Sequence, residues 1–305
     1  MTPIRSRRRT HLDSLVVLGE NGLLDLLTSS WKTGARVLTG VGDDCAVLRG
    51  GKGECLLFKT DAVVEGVHFA AGEKPELIGR KALARALSDL AAMGATPVAA
   101  VITLGMAKDE SARRLRGIYR GMESVAKKYG VDLVGGETTR AAQLFLNVAL
   151  LGECRGYRPV LRSGARPGDL IFVTGKLGGT QARRHLTFEP RLAEGEWLAR
   201  CGAATAMMDL SDGLGADLPR LARASGIEFA IDLDAIPRAR GVSLQAALGD
   251  GEDYELLFTI SPAAAKTLKK AWPFTATPLH GIGVARPRGK GVPLPAYGFD
   301  HFKQR

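Results

Sequence analysis

The stretch ECLLFKTDAVVEGVHFAAGEKPELIGRKALARALSDLAAMGATPVAAVITLGM, residues 54–106, reads as a strand, a helix and a second strand. Its opening predicts a strand through Leu57 and Phe58 that runs into a loop holding Asp61 and His68. Pro75 suits the first turn of a helix, where its missing N–H removes no intrahelical bond. Leu83, Leu87 and Leu90 then recur at helical spacing, and Gly94 with Pro97 stops the run. The apolar segment 98–106 predicts a buried strand.

The same alternation continues outward. A second helix is expected from about Glu110 to Tyr129, capped at Gly130. VDLVGGETTR, residues 131–140, predicts a strand ending in two glycines, and residues 144–153 another strand. RGYRPVLRSGARPGD, residues 155–169, mixes proline, glycine and arginine between apolar segments and reads as a link. We therefore expect a basic arm at 1–11, an N-terminal α/β domain at 12–155 and an α+β domain at 156–305. In the last of these, LIFVTG (170–175) and the segments 227–237 and 252–260 read as strands. Residues 206–226 read as a short strand, a turn and a helix whose Leu214, Leu218 and Leu221 share a face.

A chain of 305 residues suits about two domains. Its 45% hydrophobic and 24% charged residues are those of a globular protein. The four cysteines form no CxxC pair and have no histidine at zinc spacing, which suits reduced thiols in the cytoplasm. No apolar stretch approaches the roughly 20 residues that cross a bilayer, and the basic start is not followed by a secretory apolar run. The net charge of +10 and the arginines at Arg5, Arg7, Arg8 and Arg9 admit a nucleic-acid-binding arm. A solvated terminus explains that arm more simply, and no aromatic-rich basic stripe exists elsewhere. Dispersed basic charge also suits an enzyme that recruits polyphosphates.

Against that basic background, GVGDDCAVL (40–48) sets Asp43 beside Asp44 with no Lys or Arg within four residues. Similar acids recur beside Gly, Ser or Thr at the ends of apolar segments: Thr60-Asp61, Ser88-Asp89, Gly136-Glu137, and Asp209 with Ser211-Asp212. Oxygen-only ligand sets of this kind suit Mg²⁺ shared with substrate phosphates, so metal ions rather than basic side chains are expected to neutralise them. Each acid also has a plainer reading. Asp43 can cap a turn, Asp89 can pair with Arg85 one helical turn away, and Ser211 or Asp212 can cap the following helix. The Gly-rich VTGKLGGTQA (173–182) lacks the order of a P-loop, and no GxGxxG follows an early strand.

Eight segments in this order resemble the thiamine-monophosphate kinases: GVGDDCAVL, KTDAVVEGVHF, KALARALSDLAAMGATP, GGETTR, RSGARPGD, DLSDGL, GDGEDYELLF and GFDHF. That family lies in the superfamily of aminoimidazole ribonucleotide synthetase and selenophosphate synthetase. The resemblance implies a two-domain fold, α/β then α+β, with the N-terminal domain dimerising through its sheet. It further implies phosphorylation of thiamine monophosphate to thiamine diphosphate by direct in-line transfer from ATP, assisted by several Mg²⁺ ions. Carried over by motif, Asp44, Thr60, Asp61, Asp89, Glu137, Asp209 and Asp212 match metal ligands, with Asp43 a less certain companion. Gly136, Glu137, Arg162 and Ser211 match nucleotide contacts, and His68, Glu252 and Phe299 match contacts to the thiamine monophosphate. Phe299 also has a plainer reading as a tethered core residue.

Two positions depart from the pattern: Lys59 stands where the family commonly has Ser, and Glu137 where it has Asp. A charged lysine cannot ligate a metal but can contact a phosphate oxygen, so a changed metal number or preference is expected. The alternatives are another ATP-using member of the superfamily, such as aminoimidazole ribonucleotide synthetase, and a nucleic-acid binder using the arm. The reactive Cys followed by Lys that marks selenophosphate synthetase is not found, and Cys45 and Cys55 read as small buried residues inside strands.

Overall fold

The computed structural model describes residues 14–295, 297–299 and 302. The basic arm at 1–11 lies outside them, as do Asp300 and His301 of the GFDHF segment. The first half carries α1 (Leu15–Thr28), β1 (Val37–Thr39), β2 (Ala46–Arg49), β3 (Glu54–Val64), α2 (Pro75–Met93) and β4 (Thr96–Met106). It ends with α3 (Ala112–Tyr129), β5 (Asp132–Arg140) and β6 (Phe145–Arg155). Its six strands form one sheet in the order β1-β2-β3-β6-β4-β5. Because β6 pairs antiparallel with both β3 and β4, and β4 pairs parallel with β5, strands β3, β4 and β5 all run the same way. Helices α2 and α3 make the two return crossings, as parallel strands require.

The sequence signals bound α2 at both ends. Pro75 occupies its first turn, and Gly94 closes it in the left-handed conformation at φ 71°, with its N–H returned to Leu90 and Ala91. Gly130 closes α3 in the same way. The two helices cross closely because both carry glycine at the contact. A Cβ on Gly79 would stand 1.8 Å from the Ile118 carbonyl oxygen, and one on Gly121 would stand 1.9 Å from that of Glu76.

The second half carries β7 (Leu170–Thr174), α4 (Arg184–Thr187), α5 (Leu192–Arg200), β8 (Ala204–Asp209), α6 (Leu214–Ser225) and β9 (Glu228–Ile231). It continues with α7 (Leu244–Gly249), β10 (Leu256–Ile260), α8 (Pro262–Ala271) and β11 (Leu279–Arg286). Its sheet is wholly antiparallel in the order β8-β10-β7-β11-β9. Alternation along β10 divides the core. Leu256, Phe258 and Ile260 join Leu57, Leu87, Leu90 and Leu146 of the first half, while Leu257 joins Leu218, Leu221 and Ile282 on the far side. Helix α2 packs on β3 and β6 and also against α5 and β8, so its polar face is enclosed as well as its apolar one.

Several local readings are corrected. Asp61 lies within β3 rather than in a loop, because β3 keeps its ladder with β6 through Val64. The glycines do not end β5, which continues to Arg140; Gly136 (φ 150°) is needed there because a Cβ would meet the Ile102 carbonyl oxygen at 1.9 Å. β4 begins before Pro97, which a register shift accommodates, and only one of its faces is buried. Cys45 stands just before β2, not inside it. On the other face of the first sheet Phe58, Val101 and Val134 are exposed among the described residues. Among the described residues, no helix is long and apolar enough to cross a membrane.

Gly79→Ala or Gly121→Ala is expected to push α2 from α3 and lower stability by about 1–3 kcal/mol, the usual cost of overpacking. Denaturant unfolding checks this, and an unchanged midpoint in both variants would contradict the close crossing.

Candidate functional site

Three buried carboxylates from distant parts of the chain converge. Asp44 stands between β1 and β2, Asp89 in the last turns of α2, and Asp209 at the end of β8. One ligand oxygen from each lies within 4.8 Å of the others. Ser88 donates to Asp209 at 2.5 Å, a hydrogen bond from the first half to the second. Confinement of like charge is visible in the proton affinities. Burial first, and the Asp44 carboxylate next, push Asp209 up to about 6. The same two causes in the same order push Asp43 up to about 6. Burial also raises Asp89, with the Lys59 ammonium opposing it.

Basic side chains enter this cluster from far away in sequence, which corrects the expectation that its acids lack them. Arg162, in the segment between β6 and β7, grips Asp44 with Nε at 3.1 Å and Nη2 at 2.5 Å. Its backbone N–H donates to Asp43 Oδ2 at 3.1 Å, and Asp43 Oδ1 accepts from the Asp44 N–H. Asp89 does not take the pairing with Arg85: Lys59 Nζ lies 3.0 Å from its Oδ1, and Arg85 Nε lies 3.2 Å from Asp61 Oδ2.

The remaining metal candidates are arranged differently. Strand alternation puts Lys59 and Asp61 on the helix-covered face of β3 and Thr60 on the open face, where its hydroxyl donates to Asn147 Oδ1 at 2.8 Å. Glu137 is exposed on the edge strand β5, in register with Thr103, Asn147 and Ala62. That places it three strand spacings, ~14 Å, from β3. Gly136 and Glu137 line a groove of about 750 Å³ with Ile102, Tyr119, Glu123 and Lys127. Asp212 pairs with Arg220, and its N–H donates to Asp217 at 2.9 Å.

Beside the cluster is a second cavity of about 530 Å³ that brings His68, Ser211, Asp212, Glu252 and Phe299 together. Arg85 lines it too, one helical turn from Asp89. Glu252 adopts a left-handed backbone (φ 55°), with its N–H donating to the Ser211 carbonyl at 2.6 Å. Its carboxylate meets Lys81 Nζ at 2.6 Å and His185 Nδ1 at 3.2 Å. Burial alone would raise Glu252, but the His185 hydrogen bond and the Lys81 charge hold it down at about 2, so it is ionised at neutral pH. The Lys81 ammonium also donates to the His68 carbonyl at 2.6 Å, and Phe299 N–H donates to the Asp212 carbonyl. The Gly-rich loop after β7 is tied to this protein's own acids, Gly178 N–H to Asp253 and Gly179 N–H to Asp250.

Residues 42–154 match the model of the AIR synthase related protein N-terminal domain, and residues 166–291 that of the C-terminal domain. The thiamine-monophosphate kinase of Salmonella typhimurium is 35% identical over 87% of this chain and 92% of its own. That of Mycobacterium tuberculosis is 34% identical over 80% and 78%. The solved structure of AaThiL complexed with AMPPCP and TMP superposes with a TM-score of 0.82 at 30% identity, covering 93% of this chain and 97% of its own. The chain belongs to the thiamine-monophosphate kinase family.

In this thiamine-monophosphate kinase family member, four side chains complete the two sites, Lys81, Arg85, Ser88 and His185; sequence reasoning named Arg85 and Ser88 only as neighbours of Asp89 and passed over the other two. The first three had a signal. With Asp89 they recur at i, i+4, i+7 and i+8, a polar stripe along an otherwise Ala- and Leu-rich helix. His185 had none, because the short helix α4 meets Glu252 only through the tertiary fold.

The raised carboxyls give the pH dependence a sign. Folded Asp43 and Asp209 hold protons up to about 6, whereas their ordinary value is 3.8. The protein therefore loses stability as pH rises from about 4 to about 6, and a divalent cation entering the cluster would compete with those protons. Thermal unfolding should show a larger Mg²⁺-induced rise in Tm at about pH 7.5 than at about pH 5. Equal rises at both would contradict this reading of the cluster.

Proposed function

We propose that this protein phosphorylates thiamine monophosphate with ATP, yielding thiamine diphosphate and ADP. The observation that carries the reading is the buried cluster of Asp44, Asp89 and Asp209 opening beside the cavity that holds Glu252 and Phe299. Carboxylates alone would repel phosphates, and their hard oxygen donors suit Mg²⁺. When bound by this cluster, with Asp61 beside it, Mg²⁺ would supply the charge that lets two phosphate groups approach in line.

The protein's own residues hold and orient the reactants. Arg162 adds a guanidinium at the edge of the cluster for phosphate oxygens. Ser211 and Asp212, at the turn into α6, link the cluster to the cavity. Gly136 and Glu137, in the groove with Tyr119 and Lys127, serve the nucleoside end of ATP. Glu252, kept ionised by Lys81 and His185, accepts hydrogen bonds from the aminopyrimidine, while Phe299 packs against a ring and His68 lines the same cavity. Thr60 can enter only through its backbone, since its hydroxyl faces the other side of β3. The acceptor phosphate is already ionised near neutral pH, so no strong base is required.

The open face bearing Phe58, Val101 and Val134 is the surface for pairing two copies of the chain through the first sheet. Buried free thiols at Cys45, Cys55 and Cys154 accord with a cytoplasmic protein.

Purified protein with ATP, Mg²⁺ and thiamine monophosphate should form thiamine diphosphate and ADP. Turnover with formylglycinamidine ribonucleotide instead would place the protein in the synthetase branch. Asp89→Asn and Asp209→Asn should each lower kcat by at least about 100-fold while circular dichroism stays native. Near-full activity in both would refute the metal assignment. Glu252→Gln should raise KM for thiamine monophosphate about 10-fold or more and leave KM for ATP unchanged. Equal effects on both substrates would move Glu252 out of the acceptor site.

A further inference from the structure

Lys59 is an unusual side chain to find in a cleft built to take cations. It leaves β3 on the helix-covered face, between Leu57 and Asp61, and its Nζ reaches 3.0 Å from Asp89 Oδ1. Asp89 is one of the three carboxylates that converge with Asp44 and Asp209. Burial of an ammonium disfavours its charge unless it is paired, and Lys59 is paired with Asp89, with Asp61 two residues along on the same face of β3. One oxygen of a metal-cluster carboxylate is thus already bound to a fixed positive charge. An ammonium has three hydrogens to donate, and the bond to Asp89 uses one.

We propose that the Lys59 ammonium is a resident cation that takes the place of one divalent ion in this cleft, holding Asp89 on one side and donating to a phosphate oxygen on the other. The inference deepens the proposed function and rests on its metal-binding cluster, though not on the identity of the acceptor. A tethered ammonium and a bound Mg²⁺ serve the same electrostatic end, but the two cannot occupy one position. Replacing the lysine with a neutral oxygen-bearing side chain removes the tethered charge and adds a ligand, so an ion should enter. Replacing it with arginine keeps the charge and should keep the ion out.

The test counts Mn²⁺ ions bound per chain in the presence of AMPPCP, by electron paramagnetic resonance titration, with no acceptor and no turnover. Lys59→Ser and Lys59→Gln should each bind one ion more than the native protein, and Lys59→Arg the same number. The two neutral variants should also gain more Tm from Mg²⁺ than the native protein does. Lys59→Gln keeps most of the side-chain volume and provides a folded comparison should Lys59→Ser be unstable. An unchanged ion count in a folded Lys59→Gln overturns the inference, as does an added ion in Lys59→Arg. If the native protein binds no Mn²⁺ with AMPPCP, the kinase reading itself fails, an outcome separate from an unchanged count.

Discussion

Enclosed negative charge is the constraint around which this molecule is arranged. Asp44, Asp89 and Asp209 are buried within a few ångströms of one another, where low polarity magnifies their repulsion. The fold tolerates this by bringing Arg162 to Asp44, Lys59 to Asp89 and the Ser88 hydroxyl to Asp209. Each partner comes from a different element, so the cluster exists only when both halves are folded against each other. Removing one member of such a pair leaves a buried charge uncompensated, which typically costs about 3–5 kcal/mol.

Helix α2 is the shared beam of the design. Its apolar residues fill the core between the two sheets, and its polar stripe supplies both working regions. Lys81 and Arg85 serve the cavity, and Ser88 and Asp89 serve the cluster. The distance between the cavity and the cluster is therefore fixed by helical rise, about 1.5 Å per residue, rather than by flexible loops. The glycine-to-backbone crossing with α3 then fixes where that helix lies over the first sheet.

Local chemistry was legible in the sequence, while pairings across the fold were not. Pro75, Gly94 and Gly130 marked helix ends because each acts through its own backbone. Recurring acids beside Gly, Ser and Thr pointed to the region that became the cluster, and three of them converge. Asp61 was misread as a loop residue because a charge in a strand looks like a break until Arg85 is brought opposite it. The turned-away hydroxyl of Thr60 followed from period-two alternation that only a known strand could reveal. Arg162 lies 118 positions from Asp44, and no local rule connects them.

The two sides of β3 carry different work. Even-numbered residues such as Phe58 face outward, and odd-numbered ones such as Lys59 and Asp61 face α2. A slip of one residue would exchange them, exposing the cation and burying the phenyl ring among carboxylates. Eleven successive partners from Glu54 to Val64 tie this strand to β6. That long ladder thus acts as a lock on identity as well as on shape: neither side of the strand can be re-aimed by sliding, so any adaptation of one must proceed by exchanging residues in place.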